Sequence, residues 1–328
     1  MSDFDALTFP EVTGGLVPPA PTGFRSGFIG LIGRPNVGKS TIMNQLVGQK
    51  IAITSPVAQT TRNRLRGILT TPVAQIIFVD TPGIHKPHHQ LGEVLVKNAQ
   101  IAMRSVDGLL FVVDGSTELG GGDRYIAELL QEIDGPVILG INKADLQPPM
   151  AMKPEPTLDL SHPLDQSYCN LAKSRHWPVV KFSATTGVGL DSLQTQLIQT
   201  LEPGPYYYPP DLVTDQPERF IMGELIREQI LLLTREEVPH AVAVAIDRVE
   251  EAPHITRIWA TIHVERDSQK GIVIGKGGAM LKAIGSNARH QIQKLLMGDV
   301  YLELFVKVQP KWRQSRIRLA EFGYQVEE

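Results

Sequence analysis

One segment near the N-terminus has residue types and spacing that could bind phosphate. Residues 33–40, GRPNVGKS, fit the pattern G-x-x-x-x-G-K-[ST]. Its glycines let backbone N–H groups surround a phosphate, and a following helix N-terminus adds a favourable dipole. We expect Lys39 to reach the β- and γ-phosphates of a nucleotide and the Ser40 hydroxyl to ligate Mg²⁺. The predicted phosphate site comprises Gly33, Arg34, Pro35, Asn36, Val37, Gly38, Lys39, Ser40 and Thr41.

A second polar group follows the apolar run at residues 75–79 and consists of Asp80, Thr81, Pro82 and Gly83. A carboxylate at the carboxyl end of a strand is well placed to hold Mg²⁺. Gly83 can donate its N–H to the γ-phosphate because no side chain blocks the approach. In the polar loop 55–62 we choose Thr61, with Thr60 beside it, as a further Mg²⁺ ligand and catalytic contact, although a plain turn is the alternative.

A third group indicates which base is bound. Asp145 closes the segment Asn142-Lys143-Ala144-Asp145, and its carboxylate can accept hydrogen bonds from both N1 and N2 of guanine, a donor pair that adenine lacks. We expect Asn142 to tie loops together, the Lys143 stem to lie on the purine, and the Ala184 N–H to meet the guanine carbonyl. The predicted base site comprises Asn142, Lys143, Asp145, Ser183, Ala184 and Thr185.

Elements that could position these groups are visible in the hydrophobic pattern. Short apolar runs alternate with helical patterns, and continuous apolar runs are typical of buried parallel strands. The runs lie at residues 28–32, 75–79, 109–113, 137–141 and 179–182, and residues 65–70 are a candidate antiparallel edge strand. The predicted fold is a P-loop α/β domain, with a mixed, mostly parallel sheet covered by helices on both faces.

The C-terminal third has a different order of elements: helix (218–234), strand (240–249), strand (255–265), a G-x-x-G loop, helix (279–297) and strand (300–308). We place a short helix before the loop Gly275-Lys276-Gly277-Gly278. A G-x-x-G loop between two helices is how KH modules clamp about four nucleotides. The sequence therefore predicts an α+β RNA-binding domain.

The expected RNA contacts are Ile274, Gly275, Lys276, Gly277, Gly278 and Lys282, with Ile272, Val273 and Ile284 helping to line a groove. Residues 270–318 hold ten Lys and Arg against two acids, whereas the whole chain has a net charge of −3. A segregated basic face of this kind is typical of phosphate-backbone binding. A glycine turn beside a solvated helix is the alternative.

Length and composition fit two domains. The 328 residues have 42% hydrophobic content, and the single cysteine excludes an intrachain disulfide. We expect a tail (1–25), a nucleotide domain (26–202), a linker (203–217), an RNA-binding domain (218–310) and a C-terminal tail (311–328), with an exposed proline-rich insertion near 147–163. The tyrosines at 206–208 are expected to pack at a domain interface. We expect the protein to be a cytoplasmic monomer. We also expect the histidines at 85, 88 and 89 to be solvated.

These motifs in this order, followed by one KH-like domain, resemble the bacterial Era GTPases from Phe28 to the C-terminus, with Trp312 and Phe322-Gly323-Tyr324 similar to that family's tail. The resemblance implies a type II KH fold and hydrolysis of GTP to GDP with Mg²⁺. It also implies binding to the 3′ end of 16S rRNA and a role in maturing the small ribosomal subunit. Families of this kind hold a K⁺ ion with a phosphate-loop asparagine, here Asn36, and a catalytic glutamine is replaced here by Ile84.

Two alternatives stay open at this point. One is an RNA-binding module in which hydrolysis only resets the nucleotide state. The other is a peripheral membrane or cell-cycle signalling GTPase, attached weakly to the inner face of the cell membrane. Its anchor would be the short basic segment 311–319, which includes Trp312 and Ile317.

Overall fold

The computed structural model describes residues 17–55, 65–80, 83–84, 103–147, 158–235 and 238–322. Several residues singled out above lie outside these ranges: Thr60, Thr61, Thr81, Pro82 and the histidines at 85, 88 and 89. So do the first sixteen residues, residues 148–157 of the proline-rich insertion, and the last six residues.

The first unit is built on a six-stranded sheet with the order β2-β3-β1-β4-β5-β6. Its strands are β1 (Arg25–Ile32), β2 (Leu65–Thr70), β3 (Ala74–Asp80), β4 (Gly108–Asp114), β5 (Val137–Asn142) and β6 (Val179–Lys181). All neighbours are parallel except β2 and β3, which confirms the mostly parallel sheet and the antiparallel edge strand. Strand β1 begins three residues before the predicted run because Arg25 and its neighbours pair with β3.

Helices cover both faces of this sheet: α1 (Lys39–Val47), α2 (Gly121–Leu130), α3 (Pro163–Lys173) and α4 (Leu190–Thr200). Helices α1 and α4 share one apolar cluster with Ile29 and Leu31 of β1. Helices α2 and α3 contribute to a second cluster, which includes Ile32 of the same strand. Burial on both faces explains why the strands are continuous apolar runs instead of alternating ones.

The second unit has a three-stranded sheet with the order β7-β8-β9, in which β8 is antiparallel to β7 and parallel to β9. Its elements are α5 (Glu218–Leu233), α6 (Val238–Ala241), β7 (Ala243–Ala252), β8 (Ile255–Val264), α7 (Asp267–Ile274), α8 (Ala279–Leu296), β9 (Val300–Val308) and α9 (Arg316–Glu321). This order confirms the predicted α+β domain. The short helix α6 is a departure from the prediction, since it occupies the start of the predicted strand 240–249.

Two of the residues expected to line an RNA groove lie instead in the core. Val273 and Ile284 are fully buried and belong to the main apolar cluster. Ile272 is 49% exposed, and Ile274 is half-buried. Successive residues on a helix point about 100° apart, so one face cannot display all three residues of the run 272–274.

The segment between the two units is fixed along the outer edge of β2. The Ile68 N–H donates to the Val213 carbonyl over 2.8 Å. The Thr214 hydroxyl donates to the Arg66 carbonyl over 2.6 Å, and Arg66 also pairs with Asp215 over 2.7 Å. The linker therefore belongs to the first unit in its contacts.

The contacts of the linker tyrosines are with the first unit, whereas we expected them to pack at a domain interface. Tyr206 lies 4.4 Å from the ring of Phe24, and Tyr207 lies 5.2 Å from the ring of Phe28. The side chain of Gln75, which is fully buried, accepts from the Tyr207 and Tyr208 N–H groups and donates to the Tyr208 carbonyl. These contacts account for the rings without an RNA partner.

The segment proposed as a membrane anchor is partly a core element. Trp312 is 2% exposed, and its indole N–H donates to the Ala241 carbonyl over 3.0 Å. Its ring also contacts Phe322. An indole buried in this way cannot insert into a lipid surface, so the anchor loses its largest apolar side chain. Within the described ranges, no helix is both long enough and apolar enough to cross a membrane.

Candidate functional site

The polar residues predicted to act together lie at one edge of the six-stranded sheet. Asp80 ends β3 in register with Leu31 of β1. Asp114 ends β4 directly beside Asn142, which ends β5. Parallel strands present their carboxyl ends at the same edge, and this is where α/β sheets bind ligands. The structure thus brings the phosphate and base motifs into one crevice.

Lys39 is buried inside the glycine loop. It is 7% exposed, and its Nζ donates to the carbonyls of Gly33 (3.2 Å) and Arg34 (3.0 Å). Burial lowers the pKa of Lys39, and the negative charge of Asp80 opposes that shift only in part. A desolvated ammonium group is favoured by a nearby anion, so this pocket is suited to phosphate.

The loop is shaped by one glycine in a left-handed conformation. Gly38 has φ 102°, and a Cβ there would lie 2.3 Å from Nδ2 of Asn142. Asn36 is also left-handed, with φ 63°. A cavity of about 90 Å³ lies against this loop, and it is lined by Pro35, Asn36, Gly38, Lys39, Ser40, Thr41, Ile53, Thr54, Ser55 and Gly83.

Ser40, which lines this cavity, is hydrogen-bonded to Asp80. The Ser40 hydroxyl donates to Oδ2 of Asp80 over 2.7 Å, and Asp80 is fully buried. A hydroxyl and a carboxylate are hard oxygen donors of the kind that Mg²⁺ prefers. These two residues fit the predicted metal site, whereas the third predicted ligand, Thr61, lies outside the described residues.

The glycine after Asp80 packs directly on the phosphate loop. A Cβ on Gly83 would lie 2.7 Å from the backbone nitrogen of Pro35, so only glycine permits this approach. The next residue, Ile84, is 3% exposed, and its N–H donates to the Gly33 carbonyl. Ile84 is therefore anchored on the phosphate loop.

Asn142 connects two loops, as the sequence predicted. Its Nδ2 donates to the Val37 carbonyl over 2.8 Å, and its Oδ1 accepts from the Ala184 N–H over 2.9 Å. In this structure the Ala184 N–H thus donates to Asn142, and its contact with a base carbonyl stays a prediction. The neighbouring Ser183 is buried and accepts from the Thr186 N–H, while Thr185 is exposed.

Asp145 has a carboxylate oxygen that could accept a hydrogen bond from a ligand. Its Oδ1 is buried and makes no hydrogen bond within the part of the chain that the structure describes. A buried carboxylate oxygen without a donor is costly, so the observation fits a ligand that supplies N–H groups.

Asp114 was not among the predicted site residues, and its carboxylate pairs with Lys143 of the base site. Lys143 has φ 64°, and its Nζ pairs with Oδ2 of Asp114 over 2.6 Å. Burial by itself would raise the pKa of Asp114, but hydrogen bonds from Lys143 and Ser116 outweigh it and hold the pKa below its ordinary value. The signal that could have found Asp114 is its place directly after the apolar run 109–113.

Arg34 contributes its backbone to the phosphate loop and turns its side chain elsewhere. Its Nε donates over 2.7 Å to Asp123 of α2, which is fully buried. Val37 is 2% exposed and belongs to the core. Thr41 is half-buried and lines the cavity.

The G-x-x-G loop joins two helices, as predicted. Helix α7 ends at Ile274, α8 begins at Ala279, and between them Gly275, Gly277 and Gly278 have φ values of 72°, 60° and 80°. Lys276 and Gly277 are exposed, and Lys282 is exposed one turn into α8. The loop therefore exposes Lys276 and Gly277 to solvent, and α8 exposes Lys282 near it.

Comparisons with known proteins agree with this arrangement. A family model described as "50S ribosome-binding GTPase" matches residues 28–143, and one described as "KH domain" matches residues 237–313. GTPase Era of Nostoc sp. is 74% identical over 312 residues, which cover 95% of this chain and 93% of the relative. GTPase Era of Synechocystis sp. is 66% identical over 312 residues, covering 95% and 96%.

Solved structures also align along nearly the whole chain. A variant of Aquifex aeolicus Era bound to GDP.AlF4- superposes with a TM-score of 0.82 at 36% identity, covering 92% of this chain and 100% of that one. A complex of Era with MgGDPNP and nucleotides 1506–1542 of 16S ribosomal RNA gives a TM-score of 0.80 at 36% identity, with the same coverage. With the phosphate loop, the base site and the G-x-x-G loop in one chain, these similarities establish that the protein belongs to the Era family of GTPases.

Proposed function

We propose that this GTPase binds GTP at the crevice of the first sheet, hydrolyses it to GDP with Mg²⁺, and uses the nucleotide state to control binding of the 3′ end of 16S rRNA. Such a protein acts in maturation of the small ribosomal subunit. One observation carries the proposal. The same chain has the buried Lys39 beside the Ser40–Asp80 pair and an exposed G-x-x-G loop. The Era complex with MgGDPNP and 16S rRNA nucleotides supports it.

Each polar group then has a role. Lys39 and the amides of residues 33–41 hold the phosphates, and Gly83 donates to the γ-phosphate. Ser40 and Asp80, together with Thr61, bind Mg²⁺, which neutralises charge on the phosphates. Asp145 selects guanine, Asn142 keeps the two loops together, and Lys143 and residues 183–185 complete the base site. Lys39, Asn36 and Thr61 are the proposed catalytic contacts.

The proposed division of labour follows the two sheets. Residues 26–202 handle the nucleotide, residues 203–217 connect, and residues 218–310 bind RNA through residues 274–278 and Lys282. A ribosomal partner supports a location in the cytoplasm, and we propose that the protein acts there as a monomer. The burial of Trp312 argues against the membrane-anchored alternative.

RNA binding at the G-x-x-G loop is tested with Lys276→Gln, because Lys276 is exposed between two helices and free of the core. We expect the RNA affinity to fall several-fold. The slope of the logarithm of the affinity against the logarithm of the salt concentration should become shallower by about 1, as for the loss of one phosphate contact. Fluorescence anisotropy with a 16S rRNA 3′-end oligonucleotide measures both. The control Lys173→Gln removes an exposed lysine of α3 and should leave the affinity unchanged. Equal affinity for a scrambled oligonucleotide would contradict the proposed target.

Hydrolysis is expected to be faster in K⁺ than in Na⁺ at equal ionic strength. Asn36 is left-handed and lines the phosphate cavity, where a bound cation would stabilise charge that develops during hydrolysis. Phosphate release measured in each salt checks the expectation, and Asn36→Ala should remove the difference. Equal rates for the wild-type protein in the two salts would refute it.

A further inference from the structure

Glu228 is a buried carboxylate that accepts from Gln229 beside it and from two residues of the other unit. It sits on α5, and its side chain is 1% exposed. Helix α5 is buried on nearly every side, since Arg227 and Gln229 are buried together with its apolar residues. A carboxylate in such surroundings is unfavourable unless its oxygens receive hydrogen bonds and a counter-charge.

Those bonds come from the segment that follows α1. Oε1 of Glu228 accepts from the Thr54 N–H over 2.8 Å and from the Thr54 hydroxyl over 3.3 Å. Oε2 pairs with Nζ of Lys50 over 2.5 Å. One side chain of the RNA-binding unit thus holds two residues of the nucleotide unit, at a sequence separation of 174 to Thr54.

The same segment forms a wall of the phosphate cavity. Ile53, Thr54 and Ser55 line that cavity together with Lys39 and Gly83. Thr54 therefore touches the proposed γ-phosphate environment on one side and Glu228 on the other. It also lies immediately before the loop 55–62, in which Thr61 is the proposed Mg²⁺ ligand.

An open space beside this contact leaves room for adjustment. A cavity of about 730 Å³ lies between the two units, and Lys50, Thr54 and Glu228 line it. Residues of α8, among them Asn287, His290 and Lys294, line it as well. Helix α8 begins directly after the G-x-x-G loop, so a shift at Thr54 could change how the RNA-binding unit sits.

We propose that Glu228 is a positioning residue through which the nucleotide state reaches the RNA-binding unit. The bound phosphates set the positions of residues 50–55, which contact Glu228. When those positions change, the contacts of Glu228 with Thr54 and Lys50 change, and α5 moves with them. The inference rests on the proposed function. It assigns the coupling between nucleotide state and RNA binding to the Glu228 contact and not to the linker, which is fixed along β2. By thermodynamic reciprocity, RNA changes nucleotide affinity through Glu228 by the same factor.

The test uses the full chain and the ratio of RNA dissociation constants in GDP and in a non-hydrolysable GTP analogue. We expect a wild-type ratio above one, within the range of about 5- to 150-fold that is typical of coupled sites. Glu228→Ala should bring the ratio to within about twofold of one. Glu228→Gln keeps the volume and an acceptor for Thr54 while losing the charge opposite Lys50, so it should give an intermediate ratio and guards against misfolding of the alanine variant.

Asp215→Asn is the matched control, because it removes the charge of Asp215 opposite Arg66, in a pair that joins the linker to β2 and does not line the phosphate cavity. It should keep the wild-type ratio. A wild-type ratio retained by both folded Glu228 variants overturns the inference, as does a wild-type ratio of one with tight RNA binding. Failure of the wild-type protein to bind the RNA in either state would instead overturn the proposed function.

Discussion

Replacing Asp145 by asparagine is expected to invert the base preference of the nucleotide site from GTP to XTP. The Oδ1 atom of Asp145 is buried without a donor in the described chain, and guanine N1 and N2 would supply two. Two hydrogen bonds to a charged acceptor contribute about 3–4 kcal/mol, so GTP affinity should fall by about 100- to 1,000-fold. Xanthine has a carbonyl in place of the guanine amino group, and the asparagine amide can donate to it.

Fluorescence titration with GTP and XTP measures both preferences. Asp191→Asn is the control, since Asp191 is an exposed residue in the first turn of α4 and should keep the wild-type preference. If the wild-type protein binds the two nucleotides equally, the assignment of the base site is wrong.

Replacing Lys39 by methionine is expected to reduce the rate of GTP hydrolysis by about 100- to 1,000-fold. Lys39 is the buried cation of the phosphate loop, and removing one charge-stabilising donor from a catalytic site has an effect of this size. Single-turnover phosphate release under saturating nucleotide measures the chemical step.

Stability separates this loss from misfolding. Burial lowers the pKa of Lys39, which means that the surroundings disfavour its charged form when no nucleotide is present. The methionine variant should therefore be at least as stable as the wild type in thermal unfolding without nucleotide. The control Lys173→Met should affect neither property. A hydrolysis rate within threefold of the wild-type rate would exclude the proposed role of Lys39.

Much of the nucleotide unit could be predicted from sequence because its signals are local. A continuous apolar run followed by a polar residue places Asp80 and Asn142 at strand ends, and parallel strands then bring those ends together. The same rule would have found Asp114. The helices around Gly275–Gly278 were likewise predictable. The prediction that Val273 lines an RNA groove was wrong, because this side chain lies on the buried face of its helix.

Contacts between distant segments could not be predicted in this way. The pattern of α5 predicts an amphipathic helix, and nothing in it indicates that its polar residue Glu228 is covered by residues 50–54. The Ala184 N–H is another such case, because its acceptor Asn142 is 42 residues away and satisfies it within the protein. Patterns predict which elements form, whereas these side-chain partners depend on how the elements pack.

The course of the linker has a consequence for the solubility of the protein. A strand at the edge of a sheet presents unpaired N–H and C=O groups that can recruit a strand from another molecule and begin aggregation. On β2 the linker occupies such groups, through the Ile68 N–H and the Arg66 carbonyl, and at the opposite edge β6 has only three residues. The segment that joins the two units thus also shields the nucleotide sheet from intermolecular strand pairing.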